Sequence, residues 1–146
     1  MHDRQIEQER YDRAARHLLA QESEFLKSDG ARSICTELRS PYEEYEKRIS
    51  LVARPGCRVL DLCCGTGLYS VLPASLGAKV TATDIASANL EVVQRRAVRA
   101  SVSIRAVVAD AERMPFADKS FDVVTIANSL SYVDLDIFIS EVERVS

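Results

Sequence analysis

Residues 3–28 set Ile6, Tyr11, Ala14, Ala15, Leu18, Leu19, Phe25 and Leu26 among many charges. That recurrence, close to every 3.6 residues, predicts one apolar stripe on a polar helix. Asp29-Gly30 is the expected stop. Ser40-Pro41-Tyr42-Glu43 then announces a second helix, with Ser as N-cap, Pro at the first helical position and Glu at the third. Tyr45, Ile49 and Val52 continue its apolar face until Arg54-Pro55-Gly56 breaks it.

From Cys57 the pattern changes to short apolar runs alternating with helical ones. Strands are predicted at 58–62, 79–83, 104–109 and 121–127, and helices at 68–76 and 87–100, with a last helix starting near Asp134. Such alternation implies parallel pairing through right-handed crossovers, hence an α/β, Rossmann-like, doubly wound parallel sheet. The domain organisation read from this change is a helical segment at 1–54 followed by the α/β core at 55–146. Pro73 lies inside the helix predicted at 68–76 and is expected to distort it, since it supplies no N–H to the turn behind. Ligands of such sheets bind at the carboxyl ends of the strands. Those ends carry Asp61, Asp84, Asp110 and Asn128.

Bulk composition narrows the function classes. With 146 residues, 47% hydrophobic and 28% charged, the chain is long enough for one domain with a real core. A formal net charge of -3 argues against a protein that neutralises phosphates. Arg95, Arg96, Arg99 and Arg105 read as a solvated helix face, so nucleic acid is not an expected partner. Cys35, Cys57, Cys63 and Cys64 include no C-x-x-C pair, so they are read as small buried thiols of a reducing, cytoplasmic compartment. There is no apolar run near 18 residues and no basic-then-apolar leader, so neither a membrane nor secretion is expected.

The stretch VLDLCCGTGLYS, from Val59 to Ser70, reads as a strand ending on an acid, a glycine turn and a helix start. Dinucleotides, phosphates and S-adenosylmethionine are all compatible with a glycine pair after a strand. Asp84 closes the second strand where a nucleotide fold puts the carboxylate that accepts both ribose hydroxyls. Asp110 could accept from an adenine amino group while the Ala111 N–H faces a ring nitrogen. Helix capping is the alternative for both acids. Asp61 discriminates between ligands, because a carboxylate beside the turn repels a pyrophosphate and attracts an ammonium. The third glycine of the dinucleotide fingerprint is also missing.

The ordered set Val59-Leu60-Asp61-Leu62-Cys63-Cys64-Gly65-Thr66-Gly67, Val80-Thr81-Ala82-Thr83-Asp84, Ala109-Asp110-Ala111, Met114-Pro115-Phe116 and Ser120-Phe121-Asp122-Val123-Val124 resembles class I S-adenosylmethionine-dependent methyltransferases. The resemblance covers about 55–146 and is closest to the branch acting on small molecules. It implies S-adenosyl-L-methionine as cofactor and methyl transfer to a small-molecule acceptor by in-line displacement. By position it implies that Asp61 and the turn of Gly65, Thr66 and Gly67 hold the methionine part, Asp84 the ribose, and Asp110 and Ala111 the adenine edge, with Cys63 and Ile85 also among the cofactor-binding residues. Asn128 and Ser129 would lie beside the methionine part or the substrate. Cys63 departs from the family, which usually has glycine there, and Cys does not tolerate positive φ as glycine does.

The resemblance further implies the first four strands of a seven-stranded sheet, with 1–54 as a lid or cap. The chain is therefore expected to be an N-terminal part ending before the fifth strand. The run at 121–127 would then be an exposed edge and a route to a homo-oligomer. Tyr11 and Phe25 are candidate lid aromatics, with ordinary helix packing as the alternative reading. His2 and His17 precede the nucleotide core and are read as surface or helix-face residues. Two other functions compete: an NAD(P)-dependent oxidoreductase, disfavoured by Asp61 and the missing glycine, and a cofactor-binding module without catalysis.

Overall fold

The structure, a computed structural model, describes residues 4–20 and 40–146. Its helices are α1 (Arg4–Ala20), α2 (Ser40–Val52), α3 (Val71–Ser75), α4 (Ser87–Arg99) and α5 (Leu135–Val145). The strands are β1 (Arg58–Leu62), β2 (Lys79–Asp84), β3 (Ile104–Val108) and β4 (Val123–Ile126). Among the described residues they form one parallel sheet in the order β3-β2-β1-β4. The chain moves outward from β1 to β2 to β3 and then crosses to the other side of β1. A crevice therefore opens above the ends of β1 and β4.

Residues in β1 alternate between the two faces of the sheet. Val59 joins Ile49, Tyr69, Val80, Leu90 and Val93 on one side. Leu60 and Leu62 join Met114, Phe121, Phe138 and Val145 on the other. Both faces are covered, which is why Val59, Leu60, Asp61 and Leu62 are all buried. Helix α1 lies outside this sandwich, where Ala15 packs on Ala88 and Val92 of α4. Asp12 fixes its position by accepting from the Ala88 N–H at 2.9 Å.

Several expectations need correction. The helix expected at 68–76 is the shorter α3, so Pro73 falls in its first turn, where an N–H has no partner to lose. Pro73 is buried and does not distort the helix interior. The fourth strand is shorter than 121–127 because the Phe121 N–H donates to the Val145 carbonyl at 2.9 Å, tying it to α5 rather than to the sheet. Arg96 does not belong to a solvated face: it is buried, on the inward stripe of α4 with Asn89, Val93 and Ala97. Burial lowers its pKa, with Arg99 nearby adding to the effect. The expected stop at Asp29-Gly30, and His2, Phe25 and Cys35, lie outside the described residues.

Gly67 has φ +75°, and a Cβ there would come within 2.6 Å of Val93 Cγ2. Gly65 has φ +52°, with nothing within 4 Å of its added Cβ. Gly67→Ala should cost about 2–4 kcal/mol, combining left-handed strain with overpacking. Gly65→Ala should cost only about 1 kcal/mol. Denaturant unfolding of the two variants checks the difference, and equal losses would contradict it.

Candidate functional site

The site is built where β1 gives way to the glycine turn. Cys63 leaves the strand at φ +50°, a left-handed conformation adopted despite its Cβ and carrying about 1–2 kcal/mol of strain. The backbone thus takes, at a cost that its Cβ imposes, the turn that glycine would take more cheaply. The Cys64 N–H then donates to the Thr83 carbonyl at 2.9 Å, which clasps the turn to β2. Gly65 N–H donates to Asp84 Oδ2 at 2.8 Å, and Gly67 N–H donates to the Cys64 carbonyl at 2.9 Å.

Asp84 also accepts at Oδ1 from the Ala86 N–H at 2.9 Å and from Asn89 Nδ2 at 3.1 Å. It is buried, which raises its pKa, while these three hydrogen bonds pull the other way. Asp61 is only 2% exposed and accepts from Ser70 Oγ at 2.5 Å and from Thr125 Oγ1 at 3.1 Å. Burial pushes its carboxyl up to about 6, against the two hydroxyls. The Cys63 thiol, half-buried and close to Asp84 and Asp61, is pushed up to about 12 by burial first and by those charges second. It is therefore protonated at neutral pH, and Cys57, Cys63 and Cys64 are free thiols.

A cavity of about 340 Å³ lies over the strand ends. The turn contributes Cys63, Gly65 and Thr66, and the end of β2 contributes Asp84 and Ile85. Asp110 and Ala111 follow β3, Asn128 and Ser129 follow β4, and Asp61 lies at the base. Gly67, grouped with these residues in the sequence, is not on the cavity wall and packs against Val93 instead. Asn128, at φ +59°, donates from Nδ2 to the Tyr42 hydroxyl at 3.1 Å. Tyr42 in turn stacks on Tyr69 with ring centroids 6.3 Å apart and planes 5° apart, which fixes α2 beside the turn. Ser129 Oγ donates locally, to the Ala127 carbonyl.

Helix α1 closes the remaining side. Arg4, Glu7 and Tyr11 line the cavity at helical spacing. The Tyr11 ring meets Tyr132 edge-on, with centroids 6.1 Å apart. Burial, and then the Tyr132 hydroxyl, push the Tyr11 phenol up to about 12. His17 points outward from α1. Arg4, Glu7, Glu112, Asn89 and Tyr69 were not singled out in the sequence. The i, i+3, i+7 spacing of Arg4, Glu7 and Tyr11 was visible there, but not the surface that this face would meet. Glu7 Oε2 and the Tyr69 hydroxyl are buried without a hydrogen-bond partner.

The arrangement accepts hydrogen bonds and repels anions. Asp61, Asp84 and Asp110 stand at three adjacent strand ends. The Gly65 and Gly67 N–H groups, which would otherwise help to cradle a phosphate, are already donated to Asp84 and to the Cys64 carbonyl. A ligand rich in hydroxyl, amino or ammonium donors fits this chemistry, and a pyrophosphate does not.

The chain belongs to the methyltransferase-domain family, whose model, described as "Methyltransferase domain", matches residues 59–146. A demethylmenaquinone methyltransferase from Beutenbergia cavernae is 41% identical over 98 residues, covering 66% of this chain and 39% of that protein. A ubiquinone biosynthesis O-methyltransferase from Xanthomonas campestris pv. campestris is 41% identical over 83 residues, covering 56% and 35% respectively. Among solved structures, the PH0226 protein from Pyrococcus horikoshii OT3 superposes with a TM-score of 0.68 at 28% identity, covering 83% of this chain and 55% of that one. The chain spans between 27% and 39% of the length of the first curated relatives it matches.

Asp61 gives the site a pH signature. Its folded pKa, about 6, lies above the ordinary value of 3.8, so the folded state holds this proton more tightly than the unfolded chain. The resulting stabilisation is fully present below about pH 4 and is lost as pH rises through 6. Wild type should therefore lose about 2–3 kcal/mol relative to Asp61→Asn between pH 4 and pH 7. Parallel denaturation curves of the two proteins measure this, and a pH-independent difference would contradict it.

Proposed function

We propose that the cavity binds S-adenosyl-L-methionine and that the protein transfers its methyl group to a small-molecule acceptor. The observation that carries this reading is the combination of three strand-end carboxylates with a turn whose two glycine N–H groups are already donated internally. A cationic, hydroxyl-bearing nucleoside suits that combination, and a dinucleotide does not. The residues present fit the group: Asp61 offers negative charge to an ammonium, and Asp84 and Ile85 lie where the ribose would bind. Asp110 and the Ala111 N–H would take the adenine edge, with Cys63, Gly65 and Thr66 along the methionine part. Gly67 serves by letting α4 approach the turn.

When bound, the sulfonium supplies a methyl group that is already electrophilic. The work left to the chain is alignment and exclusion of water. Asn128 and Ser129 stand at the far side of the turn from Asp110, on the wall an acceptor would meet. Residues 1–54 act as a cap over the core at 55–146, as supported by Arg4, Glu7 and Tyr11 on the cavity wall and by the contact of Tyr42 with Asn128. The relatives named for menaquinone and ubiquinone chemistry support a small organic acceptor.

A net charge of -3 and the acidic cavity speak against nucleic acid as a partner. Among the described residues no helix is long and apolar enough to cross a membrane, and three free cysteines favour a reducing cytoplasm. Among the described residues β4 is an outer strand of the sheet, and pairing along it is the route proposed for a second copy.

Thermal unfolding with S-adenosylhomocysteine tests the reading, with NADH as the control ligand. At about a hundred times Kd, S-adenosylhomocysteine should add about 2.7 kcal/mol. Asp84→Asn should abolish most of that gain. Stabilisation by NADH, or by neither ligand, would overturn the assignment.

A further inference from the structure

Arg4 stands on two carboxylates, with Nη1 paired to Asp110 and Nη2 paired to Glu112. Each acid has its other oxygen tied to the backbone. Asp110 Oδ1 accepts from the Glu112 N–H at 3.0 Å, and Glu112 Oε1 accepts from the Asp134 N–H at 2.8 Å. The oxygens left for a ligand are therefore the ones that Arg4 occupies. Asp110 Oδ2 cannot receive an amino group in full while the guanidinium sits on it.

One turn along α1, Glu7 faces the same cavity. Its Oε1 has Arg10 at 3.7 Å, while its Oε2 is buried with no hydrogen-bond partner. Residues three apart on a helix lie side by side, so Glu7 is within reach of Arg4 without any unwinding. Arg4 thus has two acidic stations, Asp110 with Glu112 across the cavity and Glu7 on its own helix.

We propose that Arg4 is an internal competitor for the base-recognition carboxylates, latching α1 across the cavity until the amino group of an adenosine-type ligand displaces it towards Glu7. The inference rests on the proposed reading of Asp110 as the acceptor for an adenine amino group. It goes beyond that reading by making entry of the ligand and release of α1 one exchange of hydrogen-bond donors. Arg4 is 46% and Asp110 30% exposed, so the Asp110 half of the latch is screened by solvent and weak enough for a ligand to open, while Glu112, 10% exposed, holds the other half more firmly.

The latch gives binding an unusual salt response. S-adenosylhomocysteine has no net charge at neutral pH, whereas the competitor is an ion pair that salt weakens. Raising salt from 0.1 to 1 M shortens the screening length from about 10 Å to about 3 Å, so ligand affinity should increase with salt rather than fall.

The experiment is calorimetric titration of the full chain with S-adenosylhomocysteine at both salt concentrations, for wild type, Arg4→Gln and Arg4→Lys. Arg4→Gln should bind about fivefold more tightly than wild type at low salt, the factor expected from losing one exposed ion-pair site. It should also lose the salt response, while Arg4→Lys, which keeps the charge, should retain it. The wild-type salt response needs no variant, so a misfolded substitution does not remove the test. If wild type binds with salt-independent affinity, or Arg4→Gln binds no tighter, the latch is wrong and the cofactor reading stands. If no protein binds at either salt concentration, the cofactor reading falls and takes the latch with it.

Discussion

The Asp84 carboxylate lies where the end of β2, the glycine turn and the start of α4 converge, and it accepts a hydrogen bond from each of Gly65, Ala86 and Asn89. A buried carboxylate without such partners would be strongly destabilising. With them it acts as a pin. The turn after β1 cannot leave β2 without stranding the charge, and α4 cannot shift without breaking two of the three bonds. The clasp of Cys64 on Thr83 and the hydrogen bond of Ser70 to Asp61 both depend on the turn that this pin holds.

A consequence of the pin is where strain collects. The strands flanking the crevice are β1 and β4, and each is followed by a non-glycine residue in left-handed conformation, Cys63 at φ +50° and Asn128 at φ +59°. Both turns bend the chain away from the sheet and open the space between the strand ends. Strained backbone tends to gather at functional sites because surrounding structure over-determines it. Here the over-determining contacts are the Asp84 pin on one side and the hydrogen bond of Asn128 to Tyr42 on the other.

Much of this was legible in the residues, for physical reasons. Short runs bounded by turn signals and alternating with helical stretches mark β1 and β2, although β2 carries Thr81 and Thr83 among its buried positions, and the acids near the strand ends mark the crevice. The bounds of β1 agree with the sequence reading, and β2 runs one residue further, to Asp84. Short elements were harder to read. The helix after the turn is shorter at its start because 65–70 curl as turns, from which Gly65 and Ser70 donate to Asp84 and Asp61. Arg96 was misread because a charged residue on a helix is ordinarily solvated, and only packing shows that its position faces the sheet. Arg4 and Glu7 could not be placed at all, since an amphipathic helix declares a face but not the surface it meets.

In the function proposed above, four strand ends and helix α1 together form a site for an adenosyl ligand, with one carboxylate for each part. A crystal structure of the chain with S-adenosylhomocysteine tests it most directly. The ribose hydroxyls are expected on Asp84, the adenine amino group on Asp110 in the place vacated by Arg4, and the amino-acid end towards Asp61. A ligand found elsewhere, or bound across the strand ends with its ribose away from Asp84, would contradict it.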